Sequence, residues 1–264
     1  MFKQIFKKIF SILISWGFNP ILFFNSIRGF FLFVGNSFSF LNQFRSEKDF
    51  KKLSFFPIFS DKFELGGNME SIYFQQDLFI AQKIFLNEPV SHLDIGSRMD
   101  GFVANVATFR KIDVVDIRPA SSKVANIVFK QLDMTILPVD MENTYDSVSC
   151  LHAIEHFGLG RYGDTIDLNG HVKGFDNIYK ILSKNGRFYF STPIGSLRIE
   201  FNAHRVFSLA YLITILFKDK FIIESFSYID DCKLMHINVD LDKDNIQSNF
   251  GCIYGCGIFE LQKI

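Results

Sequence analysis

The stretch from Ser91 to Gly96, SHLDIG, constrains this chain more than any other: a short apolar strand carrying an acid and running into a glycine opens a βαβ unit. Ser91 to Ile95 reads as a buried strand bearing Asp94, and Gly96 as the point where the backbone turns. Gly101 reads as the opening of an amphipathic helix with apolar positions Phe102, Val103, Val106 and Phe109. The next strand, Asp113 to Ile117, places Asp116 some 20 positions after Gly96, where a carboxylate can accept hydrogen bonds from both hydroxyls of a ribose.

Strand and helix patterns continue to alternate beyond this point. Ile127 to Leu132 reads as a third strand ending at Asp133, Ser147 to Leu151 as a fourth, and Arg187 to Thr192 as a fifth after a helix stopped by Asn185 and Gly186. Phe221 to Ile229 and Gly255 to Leu261 add two more, which predicts a doubly wound, Rossmann-like α/β sheet of about seven strands. Ligands of such sheets bind outside the carboxyl ends of the strands, where Asp94, Asp116, Asp133 and Leu151 all fall.

Three polar segments supply candidate chemistry. His152-Ala-Ile-Glu155-His156 matches the H-x-x-E-H pattern of zinc peptidases, but His152 directly follows a strand, a context that fits a ligand-lining loop better than a zinc helix. The glycine-rich run from Gly158 to Asp164 excludes a continuous helix, and Arg161, Tyr162, Asp164 and Asp167 offer donors and acceptors to a sugar or phosphate. Arg198, Glu200, Asn202, His204 and Arg205 alternate with Leu197, Ile199, Phe201 and Val206, giving one face of polar groups. If that face covers the crevice, His156 or His204 can take a proton from an acceptor hydroxyl while Arg198 or Arg205 holds a phosphate. The competing structural readings pair Arg161 with Asp164 and Arg198 with Glu200.

Together the Asp94-Ile95-Gly96 turn, the acids Asp116 and Asp133, and the stretch Leu151 to His156 resemble the successive motifs of class I S-adenosylmethionine-dependent methyltransferases. The segments GLGRYGDTIDLNGHVKGF, STPIGSLRIEFNAHRVF and YGCGIF are similar to signatures of the domain of unknown function 268 family. The resemblance implies S-adenosylmethionine as cofactor, with Asp116 on the ribose, Asp133 and Met134 on the adenine, and Asp94, Gly96, Arg98, Gly101 and His152 toward the methionine end. The polar segments themselves supply His156, His204 and Asp164 as catalytic candidates and Arg161, Tyr162, Asp167, Arg198 and Arg205 as substrate-binding ones. The resemblance also implies an acceptor hydroxyl on a glycan or surface-polysaccharide precursor, either a small molecule or lipid-linked.

One departure stands out. Arg98 and Asp100 occupy the second and third glycine positions of the family's usual loop. Arg98 either pairs with the cofactor carboxylate or blocks the site, and the second outcome would leave a non-catalytic binding or assembly protein. A zinc hydrolase built on His152, Glu155 and His156 is a third reading, although no metal is expected.

The N-terminal 45 residues differ in kind. Phe2, Ile5, Phe6, Ile9, Leu13 and Trp16 recur at helical spacing opposite Lys3, Gln4, Lys7, Lys8 and Ser11, so a basic amphipathic helix is expected. Gly17, Asn19 and Pro20 break it, and a second helix is expected to run toward Val34 and stop at Gly35 and Asn36. The break argues against one straight membrane span, and no small-residue cleavage site follows the apolar run. Residues 1–34 either contact a membrane interface or pack over the sheet. The expected organisation is a helical segment over 1–45, a charged linker and lead-in helix over 46–90, and the sheet domain over 91–264.

Composition adds exclusions. The formal net charge of zero offers no global attraction for nucleic acid. With 34 phenylalanines spread through the chain, apolar runs by themselves are weak signs of a membrane span. The four scattered cysteines read as reduced thiols, consistent with a cytoplasmic protein, peripheral on the inner membrane face if its N-terminal segment meets lipid.

Overall fold

A computed structural model of the chain describes every residue except Met1, Glu47, Phe50, Lys51, Leu65, Gly66, Asn68, Ser121 and Ser122, without the side chains of residues 2–7 and of Val139. The described residues form two compact units, 1–68 and 69–264. The charged stretch expected over 45–52 and the basic side chains Lys3 and Lys7 lie partly or wholly outside the described residues.

In the first unit, α1 (Phe2–Ser15) ends before Gly17, which adopts φ +83°, and α2 (Pro20–Phe44) begins with proline at its first turn. Asn19 caps α2 by accepting from the Leu22 N–H at 3.1 Å. The helix does not stop at Gly35 and Asn36 as expected but runs to Phe44. A mid-helix glycine costs only about 1 kcal/mol, and Gly35 keeps a negative φ, so the stop signal is overrun. The break therefore precedes α2, whose 25 residues are by length and composition enough to cross a membrane.

One face of α2 is used within the unit. Phe30 and Phe33 meet the Phe59 ring at 5.7 and 5.8 Å, and Arg28 lies 4.7 Å over Phe63. Between them Gly29 is buried; a Cβ there would fall 1.8 Å from the Phe59 carbonyl oxygen. Elsewhere on the helix Phe24, Phe31 and Phe38 are 64, 69 and 67 % exposed.

The second unit is a three-layer α/β/α domain. Its sheet comprises β1 (His92–Ile95), β2 (Ile112–Asp116), β3 (Ile127–Gln131), β4 (Tyr145–Leu151), β5 (Leu182–Ile194), β8 (Phe221–Ile229), β9 (Met235–His236) and β10 (Gly255–Lys263). Their order is β3-β2-β1-β4-β5-β10-β8-β9, parallel from β3 to β5 and antiparallel on both sides of β10. Seven of these eight strands coincide with the seven expected; the eighth, β9, has two residues, too few for a sequence pattern. A separate hairpin joins β6 (Arg198–Glu200) to β7 (His204–Val206). Strand order reverses between β1 and β4, so the crevice at their carboxyl ends is the expected ligand position.

Both faces of the sheet are covered, which explains why all of β1 is buried rather than alternating. On one face α3 (Ile72–Asn87) supplies Ile80, Ala81 and Ile84, and α4 (Ala104–Ala107) supplies Val106. On the other, α5 (Gly170–Ile181) packs Phe175, Ile178 and Ile181 against Phe188, Phe190 and Phe217. Much of the phenylalanine content is core: the Phe175 ring lies 5.5–5.7 Å from those of Phe188, Phe190, Phe217 and Phe221.

Two local expectations are corrected. The helix after β1 does not open at Gly101; Met99–Val103 forms a wide turn in which Gly101 is non-helical, and α4 ends at Ala107, leaving Phe109 beyond it. Gly101 is needed for close approach, since a Cβ there would sit 2.7 Å from Asp77 Oδ2. The helix before β5 ends at Ile181, not at Asn185; the register steps from Tyr145 opposite Leu182 to Ser147 opposite Arg187, so Asn185 (φ +61°) and Gly186 lie in a bulge of β5.

Candidate functional site

The carboxyl ends of β1 to β4 line a crevice that opens to solvent. Ile95 and Gly96 come from the end of β1, Asp116 and Arg118 from β2, Asp133, Met134 and Thr135 from β3, and His152, His156, Tyr162 and Asp164 from the segment after β4. The structure thus brings together Gly96, Asp116, Asp133, Met134, His152, His156, Tyr162 and Asp164 out of the sequence candidates. Asp94, Arg98, Gly101, Arg161, Asp167, Arg198, His204 and Arg205 do not line it.

Asp94 organises the turn from below. Fully buried, it accepts from Ser149 Oγ and Ser97 Oγ at 2.7 Å each and from the Ser97 N–H at 3.1 Å. Burial pushes its carboxyl up to about 7 against the pull of those hydrogen bonds. Gly96 adopts φ +74°, and a Cβ there would lie 2.8 Å from that of Ala153, so only glycine leaves the crevice floor open. Arg98 turns away, forming a solvent-exposed bidentate pair with Asp100 at 3.0 and 2.7 Å.

At the end of β3, Asp133 accepts from Thr135 N and Oγ1 at 2.8 and 2.7 Å, a local turn beside the crevice. Met134 is buried and its carbonyl is fixed by Asn177 Nδ2 at 3.0 Å. Asp116 is engaged by a residue not singled out in the sequence: Arg118 donates Nε to Oδ1 at 3.0 Å and Nη2 to Oδ2 at 2.6 Å. The acid-x-Arg spacing in VVDIRP was the available signal.

His152 and His156, four residues apart, sit in opposite electrostatic settings. His152, held at φ +51°, directs Nδ1 to Glu155 Oε1 at 2.9 Å and Nε2 to Cys256 Sγ at 3.2 Å. Burial opposes its charge, yet Cys256 and Glu155 outweigh burial and hold the imidazole well above its ordinary value. His156 Nδ1 lies 2.6 Å from the Ala203 carbonyl, which can only accept, so Nδ1 carries the proton and Nε2 keeps a lone pair. Burial lowers the affinity of His156 for a second proton.

The glycine-rich loop folds around Asp164, whose two oxygens accept the Gly160 and Tyr162 N–H groups at 3.1 and 3.2 Å. This places the Tyr162 ring 5.4 Å from that of His156, edge to face. Arg161 does not pair with Asp164; its Nη1 donates to Ala203 O at 3.0 Å. Asp167 pairs with Lys173 at 2.6 Å.

In the hairpin, Arg198 pairs with Glu200 at 2.8 Å, and His204 Nε2 approaches Glu200 Oε2 at 3.1 Å without the alignment of a hydrogen bond. Pairing Arg198 with Val206, Ile199 with Arg205 and Glu200 with His204 keeps His204 on the face of Arg198 and Glu200 and puts Arg205 on the opposite face, so Arg205 does not join the expected polar face. Arg205 is 2 % exposed and donates to the carbonyls of Glu155, Phe157 and Leu168 at 3.3, 2.6 and 3.1 Å, pinning the hairpin to the loop after β4. Among the described residues no group of three or more His, Cys, Asp or Glu side chains has the geometry to hold a metal ion.

These residues suit a nucleoside with an amino-acid tail: an acid at the end of β2 for ribose hydroxyls, an apolar wall from Ile117, Leu132 and Met134 for a base, and a glycine floor beside charged His152 for a carboxylate.

Residues 112–249 match the family described as Caenorhabditis protein of unknown function, DUF268. No curated protein matches the chain by sequence. Among solved structures it is similar to the Burkholderia thailandensis 1,6-didemethyltoxoflavin-N1-methyltransferase with bound 1,6-didemethyltoxoflavin and S-adenosylhomocysteine, at 13 % identity and TM-score 0.53, covering 74 % of this chain and 79 % of that one. It is similar to geranyl diphosphate methyltransferase in complex with SAM, at 9 % identity and TM-score 0.50, covering 72 % and 85 %. The [4+2]-cyclase SpnF is similar at 10 % identity and TM-score 0.50, covering 72 % and 80 %. At these identities the shared property is the fold, and a cyclase among the three shows that the fold alone does not specify methyl transfer.

Proposed function

Because the chain belongs to the DUF268 family and its second unit has the class I methyltransferase fold, we propose that it is an S-adenosylmethionine-dependent methyltransferase. The observation that carries this reading is the crevice itself, where a glycine floor, Asp116, the Asp133–Met134 turn and a neutral histidine converge. When bound, the cofactor supplies a sulfonium methyl that is already electrophilic. The protein then needs to align the acceptor and remove its proton.

In this reading Asp116 and the backbone at Met134 hold the nucleoside, and His152, with both nitrogens bonded to Glu155 and Cys256, attracts the methionine carboxylate through its charge rather than as a donor. Asp94 acts through the turn it shapes. His156, neutral with its Nε2 lone pair, is the base that takes the acceptor proton, and Tyr162 packs beside it. Asp164 holds the loop that carries Tyr162, and Arg205 ties the hairpin beneath it.

The acceptor we propose is a hydroxyl of a polar small molecule, in the narrower form a glycan precursor; the polar rim and the neutral base support it. Residues 1–34 are proposed to contact a membrane, placing the enzyme peripherally on the cytoplasmic face. Residues 1–46 hold no acid, and Trp16, Phe24 and Phe31 are 85, 64 and 69 % exposed. One competing reading is a binding protein that retains the fold without turnover, although the exposed Arg98–Asp100 pair does not block the crevice.

Calorimetric titration with S-adenosylmethionine and S-adenosylhomocysteine tests the assignment. Saturable binding that is lost in Asp116→Ala supports it; a folded protein that binds neither compound rejects it. Binding without methyl transfer to any hydroxyl acceptor would favour the non-catalytic reading.

A further inference from the structure

Tyr162 collects two guanidinium groups: Arg118 Cζ lies 4.6 Å and Arg161 Cζ 5.2 Å from its ring centroid. The arginines come from different loops, Arg118, which lines the crevice, from the one after β2, and Arg161, which does not, from the one after β4. Both are at the mouth: Arg118 lines the crevice and is 49 % exposed at its side chain, and Arg161 is exposed. The two acids nearest them are already committed. Asp164 turns both oxygens to loop N–H groups, and Asp116 gives both oxygens to Arg118.

The pairing of Asp116 with Arg118 has a consequence for the cofactor. The carboxylate that the methyltransferase reading assigns to the ribose hydroxyls is the one Arg118 now occupies bidentately. Ribose binding at Asp116 competes with that fork and leaves Arg118 needing another anion beside Arg161. We infer that Arg118 and Arg161 form an anion subsite for a phosphoryl group of the acceptor, opened when the cofactor takes Asp116. This inference rests on the methyltransferase reading and deepens it by giving the acceptor a phosphoryl oxyanion.

The geometry suits that ligand. Arginine presents a planar fork that matches two oxyanion oxygens, and stacking on Tyr162 orients the fork without neutralising it. Arg161 is anchored on the Ala203 carbonyl, the same oxygen that fixes the tautomer of His156. Both arginines contact Tyr162, whose ring lies 5.4 Å from that of His156, so a phosphoryl group bound beside Tyr162 leaves the rest of the acceptor next to the proposed base.

The probe is inorganic phosphate, titrated calorimetrically into the full chain at pH 7 with ionic strength held constant by chloride, with and without saturating S-adenosylhomocysteine. The expected result is saturable phosphate binding at least fivefold tighter in the loaded protein and abolished in Arg118→Gln and Arg161→Gln. Linkage requires phosphate to tighten S-adenosylhomocysteine by the same factor. Arg118→Gln should itself bind S-adenosylhomocysteine about two- to fivefold more tightly, the worth of a half-exposed ion pair removed from competition, which also shows that the variant is folded. Phosphate affinity that is equal with and without the cofactor product, absent from both, or retained in the variants as an adventitious ion only would overturn the subsite. Weaker S-adenosylhomocysteine binding in Arg118→Gln would overturn the competition. If the wild-type chain binds no S-adenosylhomocysteine, the methyltransferase reading fails first and the subsite with it.

Discussion

His156 donates its Nδ1 proton to the carbonyl of Ala203 at 2.6 Å, and this one bond decides which nitrogen of the ring is free to act as a base. Ala203 lies in the turn of the β6–β7 hairpin, so a segment with no polar side chain at that position sets the protonation pattern of the site. Nitrogen-15 detected titration should show His156 as the Nδ1–H tautomer and neutral to below its ordinary 6.5, because burial disfavours its charge. An Nε2–H tautomer would remove it from the proposed role. Once an acceptor is known, His156→Gln should slow methyl transfer by about 10²–10⁴-fold while leaving cofactor affinity unchanged.

The same titration separates His152 from His156. Glu155 is 1 % exposed and bonds Nδ1 of His152, helping to hold its charge against burial. In Glu155→Gln the carboxylate charge is gone, so the His152 pKa should fall, whereas an unchanged value would assign the charge to Cys256 alone. If charged His152 attracts the cofactor carboxylate, this variant also weakens S-adenosylhomocysteine binding, an effect calorimetry reads independently.

Acid stability depends on a different histidine. His92 is 2 % exposed between Ser147 Oγ and Ser149 Oγ at 2.8 and 3.1 Å, and burial pushes its pKa from 6.5 down to about 3. The unfolded chain therefore binds the proton more readily, so the stability from neutral His92 is complete above about pH 6.5 and is lost as pH falls toward 3. Roughly 2 kcal/mol should be lost by pH 5. Denaturant unfolding of wild type and His92→Gln should show their difference shrinking by about that amount between pH 7 and 5. Asp94, raised to about 7, changes stability in the opposite direction and shares Ser149 with His92, so the comparison reads the loss from His92 together with any change at Asp94.

Arg205 is predicted to matter for folding more than for ligand contact. Arg205→Met leaves the carbonyls of Glu155, Phe157 and Leu168 without their donor and should destabilise the protein by roughly 3 kcal/mol, about 6–12 °C in melting temperature. An unchanged melting temperature combined with lost phosphate binding would instead make Arg205 a ligand residue.

Gly158→Ala should be at least as damaging. Gly158 adopts φ +76°, and a Cβ there would fall 1.9 Å from the Asp167 carbonyl, so the glycine-rich loop cannot keep its path. Wild-type melting behaviour would show that the backbone relaxes and that the loop shape does not depend on this glycine.

Most of the sheet was legible in the sequence because β1, β2, β4 and β5 carry short β-branched, aromatic or apolar stretches that end in acids or turn residues at the crevice edge. The helix ends were less so. The Gly35–Asn36 stop in α2 and the Asn185–Gly186 stop before β5 were overridden by backbone continuity in one case and by strand pairing in the other. Of the site, the residues at strand ends and the local Asp116–Arg118 pair were accessible to reasoning from position, while the stacking of Arg118 on Tyr162 was not, because the two are 44 positions apart.

By itself the sequence determined the chain order of strand ends, and with it the placing of Asp116, Asp133 and His152 around one crevice, since parallel strands must deliver their carboxyl ends to the same edge. Tertiary structure alone decided the chemical state of each group. Which nitrogen of His156 is bare, whether His152 is charged, and whether Arg205 faces ligand or backbone depend on Ala203, Cys256 and Leu168, residues 37 to 104 positions away in the chain. Charge and tautomer are set by burial and hydrogen-bond partners, and those exist only once the sheet and hairpin have closed.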